Sequence, residues 1–200
     1  MTINTKTLAA IDIGTNAIRL FISNVEEYPT ETLFKKIAFL RVPIRLGEDV
    51  FTTGEIGQQK RKRLCETMQG FSYIMSAFNV ESYKAYATCA MREARNGKSV
   101  AEQIQKECDL NIEIISGTKE AETIFAGGMN EVVDDDKTYL YVDVGGGSTE
   151  VIVYSKSVKV EACSFPLGTV RMLNDAVDKE EMKHFKKWLK NITEKYTPDA

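Results

Sequence analysis

Two short segments of this chain set a carboxylate beside a turn of small residues. Residues 9–22 read AAIDIGTNAIRLFI, and residues 139–154 read YLYVDVGGGSTEVIVY. Each has an apolar run, an aspartate near its end, a glycine-containing turn and a second apolar run. Asp12 precedes Gly14, Thr15 and Asn16. Asp143 precedes Gly145, Gly146, Gly147 and Ser148, and Thr149 and Glu150 follow. Glycines let a backbone approach an anion closely and turn several N–H groups toward it. The hydroxyls of Thr15, Ser148 and Thr149 and the amide of Asn16 add donors. Carboxylates beside such loops repel a phosphate unless a hard cation lies between. Mg²⁺, or another divalent cation, holds that place with few protein ligands. The pattern therefore suits phosphate chemistry, and the echo suggests two similar halves that each offer one carboxylate and one loop of N–H groups. Two tight hairpin turns with solvent-facing acids are the plainer reading of the same residues.

Three further groups could join that chemistry. Glu120 lies in SGTKEAE, in the first turn of an expected helix. It either stabilises the helix dipole or acts as a general base on water. Arg92 and Arg95 occur in ATCAMREARNG, just after an expected strand, where the edge of an α/β sheet places ligand-binding groups. An arginine there binds phosphate oxygens bidentately or is simply a solvated helix start. The run Lys60-Arg61-Lys62-Arg63 reads as the wet face of an amphipathic helix rather than a polyanion site.

The elements that must position these groups follow from the patterning. Strands are expected at 7–13, 18–25, 32–42, 82–88, 111–116, 138–144, 150–154 and 157–165. In the third of these the apolar residues are Leu33, Ile37, Phe39 and Val42, and Pro43 with Gly47-Glu48-Asp49 end it. Residues 55–78 carry Leu64, Met68, Phe71, Met75 and Phe78 at helical spacing. Helices are also expected at 98–107, 118–129 and 179–195, with the acidic stretch 131–137 as a solvated connector. Hairpins followed by alternating helices and strands describe an α/β chain with a mixed sheet.

Composition excludes several classes. The chain has 200 residues, 43% hydrophobic and 28% charged, with formal net charge -3. It is an ordinary globular composition with no general pull toward nucleic acid or an anionic membrane. No apolar run approaches the roughly 18 residues of a membrane span, and the N-terminus lacks the pattern of a signal peptide. The four cysteines, Cys65, Cys89, Cys108 and Cys163, form no C-x-x-C pair and are expected to be buried or half-buried thiols of a cytoplasmic protein. The single histidine, His184, has no matching serine or cysteine motif, which argues against a catalytic triad.

The segments DIGTNAIRL (12–20), RLGE (45–48), ATCAMREARNG (87–97), ISGTKEAETIFAGG (115–128), DVGGGSTE (143–150) and FPLGTVRM (165–172) resemble, in this order, the exopolyphosphatase / guanosine pentaphosphate phosphohydrolase family of the actin-like, sugar-kinase-like ATPase superfamily. The resemblance implies an actin-like, ribonuclease H-like fold with a mixed five-stranded sheet and flanking helices. It implies two similar domains, here 1–130 and 131–200, with a cleft between them. It implies an exopolyphosphatase that releases terminal orthophosphate from inorganic polyphosphate, or a phosphohydrolase that removes the 5′ γ-phosphate of guanosine pentaphosphate in a stringent response. Glu120 would be the base and Glu150 a second catalytic carboxylate. Asp143, Asp12 and Glu150 would surround Mg²⁺. Arg92 and the loops Gly14–Asn16 and Gly145–Ser148 would hold phosphates. A homodimer is common in the family.

The chain departs from the family pattern in two places. Ala17 replaces a hydroxyl in the first loop, and Lys119 stands where the family has an acid beside Glu120. A nearby cation favours a charged carboxylate. An ATP-dependent kinase-like transferase and a polyphosphate- or nucleotide-binding regulator with little catalysis are the competing functions. The second half, at about 70 residues, is short for a domain, so a fragment or a shortened form is expected, with the second domain incomplete.

Overall fold

The computed structural model describes residues 4–126, 137–156 and 158–196. The chain divides into two compact units between Ile114 and Ile115. The expected domain boundary at 130/131 and the acidic connector at 131–136 lie outside the described residues.

The first unit is a five-stranded mixed sheet in the order β3-β2-β1-β4-β5. Strands β1 (Asn4–Ile13), β2 (Ile18–Glu27) and β3 (Thr32–Val42) form an antiparallel meander. Strands β4 (Ser82–Ala87) and β5 (Glu113–Ile114) add parallel to β1 and to β4. This is the mixed five-stranded sheet with flanking helices that the resemblance implies. Alternation in β1 and β2 turns Ile11, Ile13, Ile18, Leu20 and Ile22 inward, all essentially buried. Helices α2 (Gln58–Ala77) and α4 (Gly97–Cys108) pack there through Leu64, Met68, Phe71 and Met75 and through Val100, Ile104 and Cys108. Stripes spaced three and four apart make those faces continuous.

Several expectations shift. The cluster expected to end β3 opens a helix instead: α1 (Leu46–Thr53). Its N-terminal boundary residue, Arg45, is left-handed at φ 59°, and Glu48 and Asp49 sit in its first turn, where acids suit the helix dipole. Lys60 bridges both acids at 2.9 Å, so the basic run is partly committed to holding α1 on α2. Strand β3 lies at the sheet edge, and Leu33, Ile37 and Phe39 remain more than a third exposed. Helix α2 ends at Ala77, which leaves Phe78 at its C-terminal boundary and 41% exposed. The strand expected at 111–116 pairs only at Glu113 and Ile114 before the chain turns into the next helix. A short helix, α3 (Cys89–Glu93), follows β4.

The second unit is an antiparallel sheet of β6 (Thr138–Val144), β7 (Thr149–Ser155) and β8 (Val158–Phe165) with β7 central. Helix α5 (Gly117–Ala126) covers one face, where Ala121 meets Ile152 and Tyr154. Helix α7 (Lys179–Lys195) covers the other, where Val151, Phe165 and Leu167 meet Met182, Phe185 and Trp188. Residues Thr149 to Tyr154 are therefore buried on both faces. Phe165 meets Phe185 edge-on at 4.9 Å and Trp188 at 5.6 Å. His184 packs against the same ring. A short helix, α6 (Thr169–Leu173), links β8 to α7. No described helix is long and apolar enough to cross a membrane.

Candidate active site

In the second unit the Gly-rich turn between β6 and β7 has all its carbonyls committed. The Gly145 N–H closes the turn on Ser148 O at 2.9 Å. Gly145 O accepts from Thr169 N at 3.0 Å, and Gly146 O accepts from Val170 N at 2.8 Å and Arg171 N at 3.1 Å. Gly147 O accepts from the side-chain Nε of Arg171 at 2.9 Å. Among the described residues, the N–H groups of Gly146, Gly147 and Ser148 donate to no protein acceptor. Backbone polar groups require partners, so these three N–H groups remain for an acceptor outside the protein. Gly168 sits directly on that turn: a Cβ there would overlap the Gly146 C and O and the Gly147 N.

The first unit repeats the turn-closing bond. Gly14 N donates to Ala17 O at 3.2 Å, Gly47 N to Thr15 O at 2.9 Å, and Arg45 N to Asn16 O at 2.9 Å. The echo seen in the two hairpins therefore extends further. Leu46-Gly47 and Leu167-Gly168 are equivalent, each with its leucine buried and each beside a short helix whose first N–H groups clamp the loop.

The carboxylates differ between the copies. Asp12 lies opposite Arg19 across β1 and β2, and the two form an ion pair at 2.6 Å. Asp143 lies opposite Glu150 across β6 and β7. Glu150 is only 2% exposed, and Ser164 Oγ donates to its Oε1 at 2.8 Å. Tyr141, two residues before Asp143, has its phenol pushed up by burial and then by the charges of Asp143 and Glu150. A buried carboxylate beside a like charge, both hard oxygen donors, suits a divalent cation that takes one or two carboxylates and completes its shell with water and phosphate. Among the described residues, no group of three or more acidic, histidine or cysteine side chains is arranged to hold a metal.

Glu120 stands in the first turn of α5, half-buried. Ser116 begins that helix: its Oγ accepts from Lys119 N at 3.2 Å and its O from Glu120 N at 2.9 Å. The same helix end touches the carboxylate row, since a Cβ on Gly117 would lie 2.6 Å from Ser164 Oγ. Within this unit the structure thus gathers the loop 145–148, Asp143, Glu150 and the helix that carries Glu120.

Arg92, on α3, is half-buried and lines an open cavity of about 670 Å³ in the first unit with Arg95, Lys98, Ile112 and Ile114. Arg95 is largely structural, with Nη2 donating to Thr53 O at 2.9 Å and facing Glu55 at 3.8 Å. Cys65, Cys89 and Cys108 are buried thiols outside any disulfide, and Cys163 is half-buried. Sequence reasoning missed Arg19, Ser164 and Arg171. Register was the available signal: a hairpin pairing Asp143 with Glu150 pairs Asp12 with Arg19.

The family model described as the Ppx/GppA phosphatase family matches residues 21–200. The chain is 32% identical over 168 residues to a bifunctional 3-dehydroquinate synthase/phosphatase of Fusobacterium nucleatum, covering 82% of this chain and 25% of that protein. It is 28% identical over 167 residues to a putative exopolyphosphatase of Haemophilus influenzae, covering 84% and 50%. The crystal structure of the Aquifex aeolicus member of the Ppx/GppA family superposes with a TM-score of 0.74 at 26% identity, over 96% of this chain and 63% of that one. The chain spans half or less of the length of these two curated relatives.

Proposed function

The chain belongs to the Ppx/GppA phosphatase family, and we propose that it is a phosphoanhydride hydrolase that releases terminal orthophosphate from inorganic polyphosphate. The observation that carries this reading is the turn 145–148, its carbonyls bonded within the protein while the N–H groups of Gly146, Gly147 and Ser148 have no acceptor among the described residues, beside the Asp143–Glu150 pair. Exopolyphosphatases among the relatives favour polyphosphate over guanosine pentaphosphate as substrate.

In this mechanism the N–H groups of Gly146, Gly147 and Ser148 hold oxygens of the terminal phosphoryl group. Asp143 and Glu150 would hold the divalent cation; Asp12, in the first unit, is already paired with Arg19. When bound, that cation supplies charge neutralisation on the transferring phosphoryl. Glu120 orients a water and takes its proton as the water oxygen attacks phosphorus. The bridging P–O bond breaks, and the shortened chain leaves with that oxygen. In the first unit, Gly14, Thr15, Asn16 and Arg92 are the groups that would contact phosphate oxygens. Such transfer depends mainly on positioning and charge stabilisation.

The test is phosphate release from long-chain polyphosphate and from guanosine pentaphosphate, side by side, by wild type and by Glu120→Ala. Release from polyphosphate that falls at least 100-fold in the variant supports the reading. Undiminished turnover removes Glu120 from the role of base. ATP consumption that needs an acceptor would mark a transferase instead, and tight binding without release a regulator.

A further inference from the structure

We propose that Ser164 is a positioning residue that sets the Glu150 carboxylate for the divalent cation and seats the end of α5 that carries Glu120. This rests on the reading of Asp143 and Glu150 as cation ligands. Asp143, Glu150 and Ser164 form one row across β6, β7 and β8, each directly opposite the next. Opposed side chains in antiparallel strands lie about 4.5–5.5 Å apart at Cβ, so the hydroxyl reaches the carboxylate without strain. It does so at 2.8 Å to Oε1.

A serine hydroxyl has one proton to donate. Donated to Oε1, it holds the carboxylate plane and leaves Oε2 for a cation. Glu150 is 2% exposed, so water contributes little to fixing it. Ligating carboxylates are commonly held by such outer partners, whose removal weakens metal binding by about 10–100-fold.

The second contact of Ser164 is with α5. A Cβ on Gly117 would fall 2.6 Å from its Oγ and 2.7 Å from its Cβ. The helix backbone can approach so closely only because Gly117 has no side chain. One serine thus touches both the carboxylate row and the first turn of the helix that bears Glu120.

The experiment uses Mn²⁺ as probe, with free Mn²⁺ counted by its paramagnetic resonance signal, so the first readout needs no turnover. It compares wild type, Ser164→Ala, the exchange variant Ser164→Gly/Gly117→Ala, and Glu150→Gln, each checked for folding by circular dichroism. The expected result is about tenfold weaker Mn²⁺ binding in Ser164→Ala. The Mg²⁺ concentration for half-maximal phosphate release should rise by a similar factor, with a smaller change in kcat at saturating Mg²⁺. The exchange variant refills the contact without the hydroxyl and should bind as weakly. Wild-type affinity in the exchange variant would reduce Ser164 to packing and overturn the proposal. Weakened binding in Glu150→Gln with wild-type binding in Ser164→Ala would also overturn it, while leaving the functional reading intact. No Mn²⁺ binding by wild type would overturn both.

Discussion

Arg19 and Glu150 occupy the same position in two copies of one hairpin: Arg19 faces Asp12, and Glu150 faces Asp143. The first copy neutralises its aspartate with a guanidinium at 2.6 Å. The second sets two carboxylates together, and among the described residues no basic side chain pairs with either. A repeat that keeps its loop and changes one charge can divide labour, with the cation confined to the copy that sets two carboxylates together.

That division sets the first expectation. Asp143→Asn and Glu150→Gln should each weaken Mn²⁺ binding at least tenfold, whereas Asp12→Asn should change it less than threefold. The exposed Asp12–Arg19 pair should also matter little to folding, about 0.2–1 kcal/mol by its exposure. Mn²⁺ titration and urea unfolding of Arg19→Ala measure the two quantities. Equal losses of affinity in all three carboxylate variants would contradict the division.

Gly168 provides a second test, aimed at the anion loop. Its missing side chain makes room for the Gly146–Gly147 peptide. Gly168→Ala must push the turn away from α6 or move α6 itself. Overpacking of this kind costs about 1–3 kcal/mol. We expect an unfolding loss of that order and at least a tenfold rise in KM for polyphosphate. A variant with unchanged KM would show that the turn does not hold the substrate.

Much of this was legible from residue types. The hairpins, the stripes of α2 and α4 and the two Gly turns follow from local periodicity, which backbone geometry imposes within a few residues. The three short helices α1, α3 and α6 did not show, because five to eight residues carry too little periodicity. Leu46-Gly47-Glu48-Asp49 looks like a strand terminator until Gly47 N finds Thr15 O. The exposure of Phe39 was hidden for another reason: an apolar strand sequence does not say whether the strand is central or at an edge. Glu120 and Glu150 were visible as chemistry, but Ser164 was not, since a serine gains meaning only from the register that sets it beside Glu150.

Helix α7 offers a stability test independent of function. Asp178 accepts from Glu180 N at 2.9 Å, the cap that satisfies one of the free N–H groups at the helix start. Removal of such a cap costs about 1 kcal/mol. Trp188, the single tryptophan, packs against Phe165 and reports the loss of this helix by fluorescence. Asp178→Ala should lower the unfolding free energy read at Trp188 by that amount, and with it the urea midpoint, and Asp178→Ser should restore most of it. An unchanged midpoint would mean that the α7 packing, not the cap, sets the stability of this unit.

The buried thiols between α2 and α4 predict how the first unit responds to alkali. Burial, followed by the Glu107 charge and Cys108, pushes the Cys65 thiol up from 9.0 to about 11, and burial raises Cys108 as well. The folded state therefore keeps the Cys65 proton in a window where the unfolded chain has released it. Stability from this group is complete below about pH 9 and declines as pH rises toward 11. Other groups titrate in that range, so the comparison is with Cys65→Ala, whose urea midpoint should fall less steeply between pH 9 and 10.5. At pH 8 the same burial should leave native Cys65 and Cys108 unreactive toward iodoacetamide, with both labelled once urea opens the α2–α4 contact. Rapid native labelling of Cys65 would mean that this contact opens readily, and the alkaline slope should then vanish with it.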